Sequence, residues 1–344
     1  MKLSEKKSFF SSLVLNLRLL YELILMILVV NYGFVVWFLG LFWWTKKQDV
    51  NGQLALVTGG ANGFGREISF QFASLGCDIA IADIDRKSAM ITVEDIKKQH
   101  PGVRIQWYQT DVSNPEQVDL LKTNILKDFG RSVEILINNA GVMEMFSFSI
   151  DQPSIFKKIV DVNLMAHVLT INAFLPPMIE NQRGLIVAVA SEAIFAGARY
   201  GAAYCSSKVA VKTLMDSLKD DLKMRGIKGI NVCTALPYFM KTDVEMLNRF
   251  KFLIPPICPK YAARILANNV LRNVTTFTIP TTHYYCMAPI RFFPEKVRFI
   301  LLNWLLPRIL GLTKDCDEFL QNQKQNRKNQ MNGNTNVTLD LNRY

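Results

Sequence analysis

The sequence predicts an α/β fold: a single domain with a doubly wound parallel sheet, preceded by a transmembrane or hairpin anchor at the N-terminus. Three observations carry that expectation. Short apolar strands alternate with amphipathic helices from about residue 51 to about residue 285, and crossover helices between parallel strands must cover both faces of a sheet. A run of 22 uncharged residues, 23–44, precedes them. The chain has 344 residues, so setting aside the first 50 leaves about 294, enough for one large α/β domain with a tail.

The N-terminal run is LILMILVVNYGFVVWFLGLFWW. As a helix it would be about 33 Å long, against a hydrocarbon core of about 30 Å. Glu22 bounds it on one side and Lys46 and Lys47 on the other, and Trp37, Trp43 and Trp44 gather at its C-terminal end, where amphipathic rings favour the headgroup region. A cleaved signal peptide has a shorter apolar core and a small-residue cleavage site, whereas this run ends in FWWTKK. Most buried core helices are shorter. The expectation is a retained anchor over residues 1–50. Basic residues flank both ends (Lys2, Lys6, Lys7, Arg18; Lys46, Lys47), so the positive-inside rule sets no orientation.

The elements of the domain follow in order. LALVTG reads as a first strand, then a helix from about 66 to 75, DIAIAD as a second strand, a helix to about 99, RIQWYQTD as a third, a helix to about 129, and VEILINNAG as a fourth. The catalytic domain is expected over residues 51–285. An apolar and basic extension over 286–318 contains PIRFFPEKVRFILLNWLLPRILGL (289–312). That stretch has two readings: a surface that lies on a bilayer and opens a pocket towards lipid, or helices that close the core or make a homodimer. Residues 319–344 are polar and expected to be disordered.

Composition narrows the function classes. Lys and Arg number 40 against 29 Asp and Glu, a net charge of +11. From Lys251 onward there are 13 basic and 5 acidic residues, a net +8, so most of the excess lies in the last quarter of the chain. The basic tail alternates with Asn and Gln instead of stacking aromatics and carries no recognisable nucleic-acid module; no nucleic-acid partner is expected. Six cysteines are spread singly, and His100, His167 and His283 lie far apart, so neither a disulfide scaffold nor a zinc site is expected.

The first strand runs into Thr58-Gly59-Gly60-Ala61-Asn62-Gly63-Phe64-Gly65 and then a helix. Glycines let backbone turn tightly and approach a pyrophosphate, and a helix N-terminus offers unpaired N–H groups. Asp83 ends the next strand 18 residues after Gly65, where a carboxylate accepts hydrogen bonds from ribose hydroxyls. The combination predicts a Rossmann-type dinucleotide site built on Gly59, Asn62, Gly63, Phe64, Gly65 and Asp83. Asp83 would repel a 2′-phosphate and the loop has no basic residue to compensate, so NAD is expected over NADP.

Tyr204 and Lys208 in YCSSK are four residues apart and share a helix face. A phenol is a poor general base near neutral pH unless its phenolate is stabilised, and a neighbouring ammonium together with a positive nicotinamide ring is expected to lower its pKa. Ser191 ends the strand GLIVAVAS 13 residues before Tyr204, and Asn163 lies in VDVNLMAH on the preceding helix pattern.

These residues resemble the short-chain dehydrogenase/reductase family over roughly residues 52–245: TGGANGFG, Asp111-Val112, Asn138-Asn139-Ala140-Gly141, Asn163, Ser191 and Tyr204-x-x-x-Lys208 stand in the family's order. The resemblance implies roles. Asp111 and Val112 would lie near the adenine, and Asn138, Ala140 and Gly141 would shape the cofactor floor. Ser191 would hold the substrate oxygen, Tyr204 exchange the proton, Lys208 bind the nicotinamide ribose, and Asn163 order a relay water. For Asn138 a strand-end side chain tying neighbouring strands together is an equal alternative. Pro237 and Thr242 match the segment after the sixth strand, with Thr242 near the carboxamide, but Tyr238 stands where the family often has Gly. The anchor, VASEAIFAGARYGAAYCSSK and the C-terminal extension are similar to the 16C subgroup, which holds retinol and 17β-hydroxysteroid dehydrogenases. That implies an endoplasmic reticulum or lipid-droplet enzyme, its catalytic domain on the cytosolic side, acting on a lipophilic alcohol. The rival reading is a nucleotide-binding membrane scaffold without turnover; loss of Ser, Tyr or Lys would mark it, and all three are present.

Overall fold

The computed structural model describes residues 16–29, 31–32, 46–148, 153–195, 197, 200–242, 250–252, 255–301 and 310–312. Two compact units, Met1–Lys47 and Gln48–Tyr344, make up the chain. In the first, residues 16–29 form helix α1, and their apolar side chains are exposed. The expected anchor run 23–44 is helical at 23–29 and 31–32; its residue 30 and residues 33–44 lie outside the described residues, as do 302–309 and 313–344.

In the second unit, strands and helices alternate: β1 Leu54–Thr58, α2 Gly63–Ala73, β2 Asp78–Asp83, α3 Arg86–Gln99, β3 Ile105–Gln109, α4 Pro115–Phe129 and β4 Ile135–Asn138. A long helix follows as α5 Pro153–Val160, a π turn Asp161–Met165, and α6 Ala166–Glu180. Then come β5 Gly184–Val189, α7 Ala202–Met224, β6 Ile230–Pro237, β7 Phe250–Phe252, α8 Pro259–Val270, β8 Thr276–Ile279, α9 His283–Met287 and β9 Leu310–Leu312. Seven strands pair in parallel in the order β3-β2-β1-β4-β5-β6-β8. β7 and β9 form a separate antiparallel pair.

The two-residue period of a strand explains the two cores. Ala55 and Val57 of β1, with Leu185 and Val187 of β5, meet Ile68 and Phe72 of α2, Ile96 of α3 and Leu266 and Val270 of α8. Leu54, Leu56, Ile186 and Ala188 point the other way, onto Val118, Leu121 and Ile125 of α4, Phe174 and Met178 of α6, and Val211 and Met215 of α7. Each such side chain contributes roughly 1.5–3 kcal/mol on burial, so both faces must be covered at once. Pro153–Glu180 is the one helix among the described residues with the length and apolarity to cross a membrane. Phe174 and Met178 bury it on the sheet, so it is a core helix.

The strand order reverses between β3-β2-β1 and β4-β5-β6. A crevice forms where the connections diverge, at the carboxyl ends of β1 and β4, and the glycine loop, the residues after β4 and the turn after β5 all lie at those carboxyl ends.

Candidate active site

The loop after β1 is shaped by what it cannot hold. A Cβ at Gly65 would run into the Gly59 carbonyl oxygen, and one at Gly59, where φ is +61°, would stand 2.9 Å from the Ala140 Cα. The loop therefore lies flat on the end of β4. Helix α2 begins at Gly63, three residues before the expected start, because Asn62 caps it, accepting from the Gly63 N–H at 2.9 Å. Capping residues define a helix start more sharply than propensity does. Asp83 braces the loop from behind: Oδ2 accepts from the Ala61 N–H at 2.9 Å and Oδ1 from the Asp85 N–H at 3.0 Å. Two residues outside the expected site complete the cradle. Thr58 Oγ1 accepts from the N–H groups of Asn139 (3.0 Å) and Ala140 (3.1 Å), and Asn139 Nδ2 donates to the carbonyls of Thr58 and Gly59, both at 3.1 Å. Their signal was positional: one precedes the glycine loop and the other sits inside NNAG. A glycine cradle, a helix N-terminus and a carboxylate at the next strand end fit a dinucleotide.

The other expected cofactor residues divide. A Cβ on Gly63 would stand 3.2 Å from the Thr242 Cγ2, which places Thr242 against the loop. One on Gly141 would stand 3.3 Å from both Asn163 Oδ1 and Lys208 Nζ. Pro237 ends β6. Asp111 closes its own turn, with Oδ1 accepting from the Ser113 N–H (2.9 Å) and hydroxyl (2.6 Å). The side chains of Val112 and Phe64 are buried in the two cores. Asn138 is buried, and its Oδ1 accepts from the Thr170 hydroxyl at 2.8 Å. The side chain thus ties β4 to α6, a contact that neither expected role named.

Four side chains converge beyond β4 and β5. Asn163 is fully buried in the π turn; its Nδ2 donates to the Val142 carbonyl (2.9 Å) and to Ser207 Oγ (3.2 Å), and its Oδ1 accepts from the Val142 N–H (2.7 Å). The segment after NNAG is thereby pinned to the helix. Ser191 starts a short 3₁₀ turn, Glu192–Ile194, with Oγ accepting from the Ala193 N–H at 3.1 Å. Its side chain also lies close enough to the Tyr204 phenol to act on that group's pKa. Lys208, one turn along α7, donates from Nζ to the Val189 carbonyl at 2.9 Å, with Nζ 5.7 Å from the Tyr204 ring centroid.

Burial dominates the electrostatics. Desolvation raises the Tyr204 phenol above its ordinary value, and the Ser191 side chain pulls the other way. For Tyr204, burial thus outweighs any lowering by Lys208. Lys208 is itself brought down to about 8 by burial. His167 lies beside it, pushed down to about 3 by desolvation and then by the Lys208 charge. Its Nε2 has no hydrogen-bond partner among the described residues. Glu192, next to Ser191, is raised to about 8 by burial.

This fold and site define a class, the dinucleotide-binding oxidoreductases with a doubly wound sheet. The model of the short chain dehydrogenase family matches residues 53–250, and the chain belongs to that family. It is 30% identical over 281 residues to epidermal retinol dehydrogenase 2 of Homo sapiens, covering 81% of this chain and 89% of that protein. Short-chain dehydrogenase/reductase family 16C member 6 of Bos taurus gives the same identity over 81% and 87%. Estradiol 17-beta-dehydrogenase 11 of Homo sapiens is 30% identical over 77% and 87%. Among solved structures, a short-chain dehydrogenase/reductase from Burkholderia phymatum in complex with NAD shares the fold with a TM-score of 0.62 at 24% identity, over 71% of this chain and 93% of that one. A metagenomic short-chain oxidoreductase in complex with NADP has a TM-score of 0.56 at 26% identity, over 65% and 93%.

Proposed function

We propose that the protein is a membrane-anchored, NAD-dependent dehydrogenase that interconverts a lipophilic primary or secondary alcohol, a retinoid, steroid or related lipid, with its carbonyl. One observation carries the reading: the Ser191 side chain lies within reach of the Tyr204 phenol, with Lys208 one helical turn away, beside a glycine cradle. The names of the relatives supply the substrate class.

The residues that would hold the dinucleotide are Gly59, Asn62, Gly63 and Gly65, the backbone of Phe64 and Val112, Asp83, Asp111, Ala140, Gly141, Lys208, Pro237 and Thr242. Asp83, with no basic residue in the loop, favours NAD over NADP. Bound nicotinamide supplies the hydride acceptor for alcohol oxidation. Tyr204 takes the hydroxyl proton at its phenolic oxygen, and Ser191 Oγ donates to the substrate oxygen as charge develops there. Among the described residues, Lys208 sets its ammonium beside the Tyr204 ring, where a cation favours the phenolate. Asn163 holds Val142 through two hydrogen bonds and ties to Ser207 of α7 through a third, and so holds the floor on which these groups meet.

Exposed apolar residues support the membrane part. They line α1, and Phe292, Phe293, Val297, Phe299 and Ile300 are exposed beside Lys296 and Arg298. We place the enzyme at the endoplasmic reticulum or lipid-droplet surface on the strength of these residues and the 22-residue run. Purified full chain, supplied with retinol, estradiol or a long-chain alcohol and with NAD or NADP, should generate NADH absorbance faster than NADPH absorbance. Absence of turnover on all three alcohols, with NADH still bound, would instead fit the silent scaffold.

A further inference from the structure

Neither the dinucleotide cradle nor the proton-transfer groups use Glu192, yet it follows Ser191 directly and is only 9% exposed. A carboxyl at that depth is costly unless it is hydrogen-bonded. Its partner is His283, 91 residues along the chain, whose Nδ1 lies 2.9 Å from Oε1 and 3.1 Å from Oε2. A second contact joins the same two segments: the rings of Phe195 and Tyr284 meet edge-on with centroids 6.3 Å apart. Tyr238, after β6, sets its ring against His283 at 5.3 Å and 79°, and its N–H donates to the Ile279 carbonyl at 2.9 Å. The side chain that stands where the family often has glycine thus fills the wall beside this pair.

The turn that carries Ser191 is internally closed. Ser191 Oγ accepts from the Ala193 N–H, the Ser191 carbonyl from the Ile194 N–H at 3.2 Å, and the Glu192 carbonyl from the Phe195 N–H at 3.0 Å. A tie at Glu192 therefore moves the turn as a unit. We propose that Glu192 and His283 are positioning residues whose hydrogen bond clamps the Ser191 turn to α9 and so fixes the Ser191 hydroxyl against Tyr204. The clamp rests on the reading of Ser191 and Tyr204 as the reacting pair. Burial raises Glu192 to about 8 and lowers His283, so burial favours the neutral form of each partner. The titratable groups facing it are the phenols of Tyr238, raised to about 12 by burial and then by Glu192, and, through Ser191, of Tyr204.

The test compares Glu192→Ala, His283→Ala, the double variant and Glu192→Gln in the full chain in detergent micelles, by turnover, NADH affinity and amide hydrogen exchange. Each alanine variant should lose roughly ten- to a hundredfold in kcat, as a misplaced catalytic group does, at unchanged NADH affinity. The double variant should be no worse than either single one, and Glu192→Gln should recover most of the loss, because its amide offers Nδ1 both a donor and an acceptor. Exchange should rise together at 192–195 and 283–287 in Glu192→Ala and stay low in Glu192→Gln. Additive losses, an unchanged kcat or unchanged exchange would overturn the clamp. If Glu192→Ala does not fold, exchange in His283→Ala against Glu192→Gln decides the same question. Tyr204→Phe separates the two levels. Full turnover there removes the reacting-pair reading, whereas a dead Tyr204→Phe beside an unimpaired Glu192→Ala removes only the clamp.

Discussion

From β1 to Gly141 the site is made of backbone: Thr58 and Asn139 bond main-chain groups, Asp83 accepts two N–H groups, and glycines leave room where a Cβ would collide. From Asn163 onward it is made of buried side chains that titrate far from their ordinary values, among them Lys208, His167 and Glu192. The first region suits a ligand that never changes, held by shape. The second suits proton movement and must exclude water. Adding atoms should therefore damage the first region, and removing functional groups the second.

The largest expected effect lies in the second region. Tyr204→Phe deletes one hydroxyl from a packed ring and should lower turnover by about 10²–10⁴, with NADH binding read by fluorescence nearly unchanged. A parallel loss of NADH affinity would blur the division between the regions.

Next comes pH. The folded value of Glu192, about 8, lies above its ordinary 4.5, so the folded protein holds a proton that the unfolded chain releases. That contribution is complete below about pH 4.5 and is lost as pH rises through about 8. Glu192→Gln does not titrate, so its melting temperature should gain on the wild type between pH 5 and pH 8, by the equivalent of a few kcal/mol. A constant gap would mean that the carboxyl is not buried as described.

Gly65→Ala tests the first region by addition. Its methyl must push the Gly59 carbonyl aside, and strain of about 1–3 kcal/mol should weaken NAD binding roughly ten- to a hundredfold by titration calorimetry while the far side of the domain keeps its exchange protection. The smallest effect belongs to neither region. Arg225 and Asp221 pair at 3.3 Å with side chains 51% and 59% exposed, and Arg225→Ala should change stability by under about 0.5 kcal/mol in urea unfolding.

Much of this was legible before any coordinates. The alternation of Leu54 and Leu56 with Ala55 and Val57 announces a strand buried on both faces, and the glycine spacing followed by Asp83 announces the cradle. The start of α2 came out three residues early because a glycine at a helix start looks like loop, although Asn62 caps it. The π turn at Asn163 leaves no mark, since the apolar pattern runs unbroken through it. Glu192 and His283 are one acid and one histidine 91 residues apart, and no spacing rule joins them.

The sequence by itself determined the succession of strands and helices, the glycine turn, and the placing of Tyr204 and Lys208 on one helical face, because each depends on local backbone conformation and near-neighbour spacing. Only the tertiary structure decided that Lys208 is held by the Val189 carbonyl, that Asn138 turns to Thr170, and that Tyr204 is raised instead of lowered. Desolvation and cross-element hydrogen bonds depend on every element that closes over a residue, and no local stretch of chain contains that information.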